Sequence, residues 1–73
     1  MSRPRKHSLT LGGHRTSVTL EDEFWEAFRD IAKVQGIGVN ALAYQIDRDR
    51  GTQIGLATAL RLHVLRHYRG AKG

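Results

Sequence analysis

The segment Arg15-Thr-Ser-Val-Thr-Leu20 decides the fold of this 73-residue chain, because its residues alternate strictly along an extended backbone. One face of such a strand carries Thr16, Val18 and Leu20. The other face carries Arg15, Ser17 and Thr19. Its β-branched residues favour a pleated conformation, and the acidic run after it marks the start of a helix. The segment therefore predicts a β-strand whose polar face presents a guanidinium and two hydroxyls.

A single strand leaves its backbone N–H and C=O groups unpaired, so this strand requires a partner. Everything downstream of it is typical of helix. We therefore expect the same strand of a second copy to pair with it.

A further strand is indicated upstream, where Ser8–Leu11 also alternates and is followed by Gly12-Gly13. Two glycines between alternating runs are typical of a hairpin. The expected register pairs Leu11 with His14 and Leu9 with Thr16. It would collect four apolar residues on one face: Leu9, Leu11, Val18 and Leu20. A dimeric ribbon would then have four strands; the alternative is an N-terminal arm that crosses onto the partner subunit without regular pairing.

The composition predicts one small domain. A chain this short buries only about 60 % of its unfolded surface, so association is a common source of stability. The absence of cysteine excludes disulfides and thiolate metal sites and suits a reducing compartment. No stretch has the pattern of a membrane span or a signal peptide, so we expect a cytoplasmic location and no membrane partner.

The net charge of +5 is concentrated at the two ends of the chain. Residues 1–19 and 52–73 each carry +4, whereas residues 20–35 carry −3. This distribution favours a polyanionic partner, and nucleic acid over anionic lipid. Solubility alone is the plainer explanation. A guanidinium and hydroxyls on a strand are suited to hydrogen bonds with base edges.

Hydrophobic periodicity predicts three helices. They are Glu21 to about Gln35, about Val39 to about Arg50, and Leu56 to Arg69. Gly36 and Gly51 are natural stops for the first two, because glycine tolerates the left-handed conformation. The apolar stripe of the third helix is too wide for a monomer of short helices to cover, so we expect it to pack between subunits.

The order of strand, helix, glycine-containing turn and second helix resembles the ribbon-helix-helix family of MetJ/Arc-type repressors. The matching residues are Arg15–Leu20, Phe24, Phe28, Ile31, the run Gly36-Ile-Gly-Val-Asn40, Leu42 and Ile46. The resemblance covers residues 14–50. It leaves 1–13 as a basic arm or part of the hairpin, and 51–73 as the third helix and tail. The run His-Arg-Thr-Ser-Val-Thr-Leu-Glu, with Ala-Leu-Arg-Leu in the third helix, is similar to small stand-alone bacterial members.

The resemblance implies a mainly α-helical, intertwined homodimer whose paired strands enter the major groove of double-stranded DNA. The implied base-contacting residues are Arg15, Ser17 and Thr19. Phosphate would be bound by the amides of Gly38, Val39 and Asn40 at a helix N-terminus, and by Arg3, Arg5 and Lys6. The expected dimer core is Val18, Leu20, Phe24, Phe28, Ile31, Leu42, Ile46 and Leu60. Many members carry serine or threonine in place of Gly38, which here provides no hydroxyl cap.

Other candidate residues have plainer interpretations. Trp25 lies beside the apolar stripe, and we expect it to anchor a core edge or subunit contact rather than stack on bases. His63 and His67 are four residues apart, a spacing that suits a metal, but two ligands are too few. We expect no metal or other cofactor. Asp47 and Asp49 are typical of a solvated helix end, not a catalytic pair.

The implied function is a sequence-specific transcriptional regulator, most simply a repressor, and the third helix could join two of its dimers into a tetramer. No motif predicts an enzyme or a small-molecule effector. One alternative is the DNA-binding antitoxin of a toxin–antitoxin pair, although the C-terminal third is helical rather than a disordered tail. The other is a dimeric protein-interaction module that does not bind DNA.

Overall fold

The computed structural model describes residues 3–70 as a β-hairpin followed by three helices. Residues 1–2 and 71–73, the outermost parts of the predicted arm and tail, lie outside it. The strands are β1 (Arg5–Leu11) and β2 (His14–Leu20). The helices are α1 (Asp22–Gln35), α2 (Val39–Asp49) and α3 (Leu56–Gly70). The predicted fold class of a ribbon strand, two helices and an additional C-terminal helix is confirmed.

The hairpin forms in the register that the sequence predicts. Gly12 and Gly13 have φ of 57° and 85°, as a two-residue type I′ turn requires. Leu11 pairs with His14, and Leu9 with Thr16. The partner of β2 within the described residues is therefore β1 of the same chain. Arg5-Lys6-His7, expected in an arm, belongs to β1.

The inner face of the hairpin packs on all three helices. Leu9, Leu11, Val18 and Leu20 are buried. The helices cover them with Phe28, Ile31, Ala32, Leu42, Ala43, Ile46, Ala59, Leu60 and Val64. At the hairpin turn, the ring of Tyr44 approaches so closely that a Cβ at Gly12 would lie 2.9 Å from its Cε1 atom. The turn is thereby fixed against α2.

Glycine ends α1 as predicted. Gly36 has φ 72°, and its N–H donates to Lys33 O at 3.1 Å. Ile37 N–H donates to Ala32 O at 3.0 Å, which completes a Schellman arrangement. This tight turn places the start of α2 beside the end of α1. None of the helices within residues 3–70 is long and apolar enough to cross a membrane.

Candidate nucleic-acid interface

The outer face of the hairpin is polar and exposed along both strands. Alternation places Lys6, Ser8 and Thr10 of β1 beside Thr19, Ser17 and Arg15 of β2, in that order. All six residues are exposed. Because residues 3–20 contain no Asp or Glu, this outer face carries two positive charges and four hydroxyls. Ser8 and Thr10 were missed as candidates, although the predicted register already placed them here.

The two edges of the hairpin differ. On the β1 edge, Thr10 N–H donates to Asn40 Oδ1 at 3.0 Å, so this amide points away from β2. Thr10 and Arg15 therefore form a non-hydrogen-bonded pair, and the backbone groups of Arg15, Ser17 and Thr19 also point away from β1. On that β2 edge, Thr19 O accepts a 3.4 Å hydrogen bond from Arg61 Nη2.

Arg61 of α3 joins the end of β2 to the start of α1. Its Nε donates to Glu21 Oε1 at 3.0 Å, and its guanidinium lies 5.9 Å from the Phe24 ring centroid. The pKa of Glu21 is lowered, first by a hydrogen bond from its own backbone N–H and then by Arg61, against the opposing effect of burial. The carboxylate therefore stays charged beside Arg61 at neutral pH.

The N-terminus of α2 carries amides without intrahelical partners. Gly38 is the N-cap, no side chain caps the helix, and the first helical bond runs from Leu42 N–H to Gly38 O. Gly38 has φ −74°, and a Cβ there would meet nothing within 4 Å. A surface groove of about 510 Å³ beside it is lined in part by Arg29 and Lys33, two cations outside the predicted phosphate-contacting set. The groove also has acidic residues, Glu26 and Asp30.

The other predicted phosphate-contacting residues occupy different surfaces. Asn40 uses its side-chain oxygen to hold β1, while its backbone N–H belongs to the helix start. Arg5 lies on the inner side of β1 and is 3.6 Å from Asp22 in an exposed ion pair. Lys6 lies on the outer face, and Arg3 is exposed just before β1.

The residues expected at a dimer core all lie in the core of this single chain or against it. Buried are Val18, Leu20, Phe28, Ile31, Leu42, Ile46 and Leu60. Phe24 is partly buried and packs on them. The division at residues 14–50 stays a prediction, but β1 and α3 on either side of it contribute to the same core.

The remaining candidates are Trp25 and the two histidines of α3, His63 and His67. Trp25 packs at the core edge and stacks on His7, with ring centroids 4.1 Å apart. His63 Nε2 is buried without a hydrogen-bond partner, and desolvation lowers its pKa, helped by nearby His67 and Arg66. Within the part of the chain that the structure describes, no three potential metal ligands come together.

The C-terminal end of α2, which carries Asp47 and Asp49, is held by an ion pair. Arg50 Nε lies 2.8 Å from Asp47 Oδ1, and Arg50 Nη1 donates to Ile54 O at 2.7 Å. These bonds connect the end of α2 to the loop before α3. Asp47 and Arg50 therefore have a structural role at this helix end.

Comparison with known proteins settles the family. The ribbon-helix-helix domain matches residues 4–68, which is nearly the whole chain. The chain belongs to the ribbon-helix-helix domain family. Ribbon-helix-helix proteins are in general DNA-binding regulators that dimerise. No curated protein matches the sequence.

One solved structure is similar to this chain over most of its length. It is an uncharacterized protein from Bordetella pertussis Tohama I, with 33 % sequence identity and a TM-score of 0.73. The match covers 89 % of the present chain but 55 % of that protein. The chain thus spans about half the length of this relative.

Proposed function

We propose that the chain is a cytoplasmic, sequence-specific transcriptional regulator, most simply a repressor, that binds double-stranded DNA as a homodimer. The observation that carries this proposal is the outer face of β2. Arg15, Ser17 and Thr19 are exposed together on one face of a strand whose opposite face buries Val18 and Leu20 in the core. Membership of a DNA-binding family supports the same function.

The dimer forms through the β2 edge. An antiparallel pairing of two β2 strands centred on Ser17 uses the outward-facing backbone groups of Arg15, Ser17 and Thr19 in both copies. The hairpin then becomes half of a four-stranded sheet with β2 at its centre. A surface groove of about 540 Å³ adjoins this strand at His14, Thr16 and Ser17.

The chain makes two kinds of contact with DNA: β2 contacts bases, and the start of α2 contacts phosphate. The Arg15 guanidinium donates two hydrogen bonds to a guanine in the major groove, and the hydroxyls of Ser17 and Thr19 bond neighbouring base edges. The free amides of Gly38, Val39 and Asn40 bind phosphate, because a helix N-terminus carries partial positive charge. A short ribbon contacts few base pairs, so neighbouring dimers associate through α3, where Leu65 and Tyr68 are about half exposed.

The proposal is tested by selecting bound sequences from random duplex DNA and then measuring affinity for the selected duplex and for a scrambled one. Arg15→Ala should cost about 1–3 kcal/mol on the selected duplex and much less on the scrambled one. Arg69→Ala is the matched control, since it removes one exposed positive charge near the end of α3. Sedimentation equilibrium should give a mass of at least twice the 8.2 kDa of one chain.

An equal loss on both duplexes would remove Arg15 from the base-contacting set. A protein that stays a single chain at micromolar concentration, or binds DNA without any salt dependence, would contradict the proposal as a whole.

A further inference from the structure

We propose that β1 is a phosphate-contacting strand, in which Ser8 and Thr10 act with Lys6 on the sugar–phosphate backbone and do not contact bases. The inference rests on the proposed function and assigns a role to the strand that the pairing of two β2 strands leaves on the outside. It also adds Ser8 and Thr10 to the residues that contact DNA.

The edges of the hairpin determine the position of β1. Its outer edge is closed at Thr10 by the side chain of Asn40, at 3.0 Å. On the β2 edge, Arg61 engages Thr19 O at the end of the strand, at 3.4 Å, while Arg15 and Ser17 are exposed. Two copies therefore meet along β2, and the sheet order across the dimer is β1, β2, β2, β1.

The width of that sheet decides what β1 can contact. Neighbouring strands lie about 4.8 Å apart, so the outer two strands of four are separated by about 14 Å. The major groove is about 12 Å wide and admits a two-stranded ribbon. The central pair fills the groove, and each β1 lies over one of its phosphate walls.

The side chains on β1 suit that position. Lys6, Ser8 and Thr10 alternate along the outer face at roughly 7 Å intervals, twice the rise of one strand residue. They offer an ammonium group and two hydroxyls, which are common donors to phosphate oxygen. All three are exposed, and the outer face carries no carboxylate to repel a phosphate.

The contact between β1 and α2 extends this row. Asn40 is the second residue of α2, so its bond to Thr10 brings the last residue of the row beside the free amides of the helix start. The row of donors on β1 therefore ends next to the start of α2. A line that follows the DNA backbone fixes the orientation of the dimer without selecting a sequence.

The test compares Lys6→Ala, Ser8→Ala and Thr10→Val with Arg15→Ala, each on the selected and the scrambled duplex over a range of salt concentrations. Each β1 variant should weaken binding to both duplexes by the same factor, about two- to tenfold. Lys6→Ala should also reduce the slope of log K against log salt by about 0.9 for each phosphate that is no longer neutralised. Arg69→Ala serves as the charge control, and circular dichroism with urea unfolding checks the fold of every variant.

Three results would overturn the inference. A β1 variant that changes the preferred sequence places this strand in the groove. Unchanged affinity in all three β1 variants removes β1 from the DNA, while a selective loss in Arg15→Ala would leave the proposed function intact. Failure of the wild-type chain to bind any duplex would overturn the function and this inference together.

Discussion

The two faces of the hairpin contrast sharply, although they are made by alternate residues of the same two strands. On the inner face, Leu9 and Leu20 are 2 % and 0 % exposed and belong to a core to which all three helices contribute. On the outer face, Arg15 and Ser17 are exposed and make no contact that the core requires. The inner row determines that this segment is a strand, whereas the outer row is available for a partner.

This separation means that stability and binding can be changed independently. Substitution on the inner row alters the free energy of unfolding, because buried methylene groups are removed from a packed core. Substitution on the outer row should leave the free energy of unfolding nearly unchanged, since exposed strand residues contribute little to it. Its expected effect is on the affinity for DNA. Neighbouring positions in the sequence therefore serve as controls for one another.

The largest effect is expected at Leu20. Leu20→Ala should lower the free energy of unfolding by about 2–5 kcal/mol, since the side chain is fully buried. Thr19→Ala, one residue away on the outer face, should change it by less than about 0.5 kcal/mol. Urea titration followed by tryptophan fluorescence of Trp25 measures both. Similar losses in the two variants would contradict the distinction between the faces.

A smaller effect is expected at the turn, where one glycine is covered and the other is open. Gly12→Ala should cost about 1–3 kcal/mol, because its φ is positive and the new Cβ would lie 2.9 Å from Tyr44 Cε1. Gly13→Ala should cost less, since its φ is also positive but its Cβ position is open. In a Tyr44→Ala background the difference between the two should disappear. A difference that persists there would assign the extra cost to the backbone.

The smallest effect is expected at the half-buried His63. The pKa of His63 is lowered by burial, so between this value and the ordinary value near 6.5 the unfolded chain holds a proton that the folded chain lacks. The free energy of unfolding should therefore fall as the pH is lowered from 7.5 to 5.5. His63→Gln should reduce that fall. Equal pH profiles in the wild type and His63→Gln would contradict the expectation.

The fold was largely predictable because its signals are local. The Gly12-Gly13 pair and the alternation on either side of it specify the hairpin register, and Gly36 marks the end of α1. Arg5-Lys6-His7 was assigned to an arm because it has no apolar residue to show the alternation. In the structure this segment pairs with the end of β2, and His7 stacks on Trp25, a contact between distant residues that local sequence does not reveal.

The surroundings of the candidate interface were less predictable, since they depend on contacts between distant residues. Arg61 reaches Thr19 across 42 positions, and Asn40 reaches Thr10 across 30. Neither contact produces a periodic pattern in the sequence. The sequence therefore identifies Arg15, Ser17 and Thr19 as candidates. It does not reveal how the outer edges of β1 and β2 differ, and the proposed pairing of two copies depends on that difference.

The hydrogen bond from Arg61 to the carbonyl of Thr19 has a consequence for the length of a shared ribbon. A second strand paired as far as Thr19 shares this carbonyl oxygen with the guanidinium, and a strand that extends further meets the Arg61–Glu21 ion pair. Pairing limited to Arg15–Thr19 spans about 17 Å. This length equals roughly five base pairs, because a base pair and a strand residue both rise about 3.4 Å. A DNA sequence this short recurs often in any genome. An operator for this chain should therefore contain tandem copies whose spacing is set by the helical repeat of DNA.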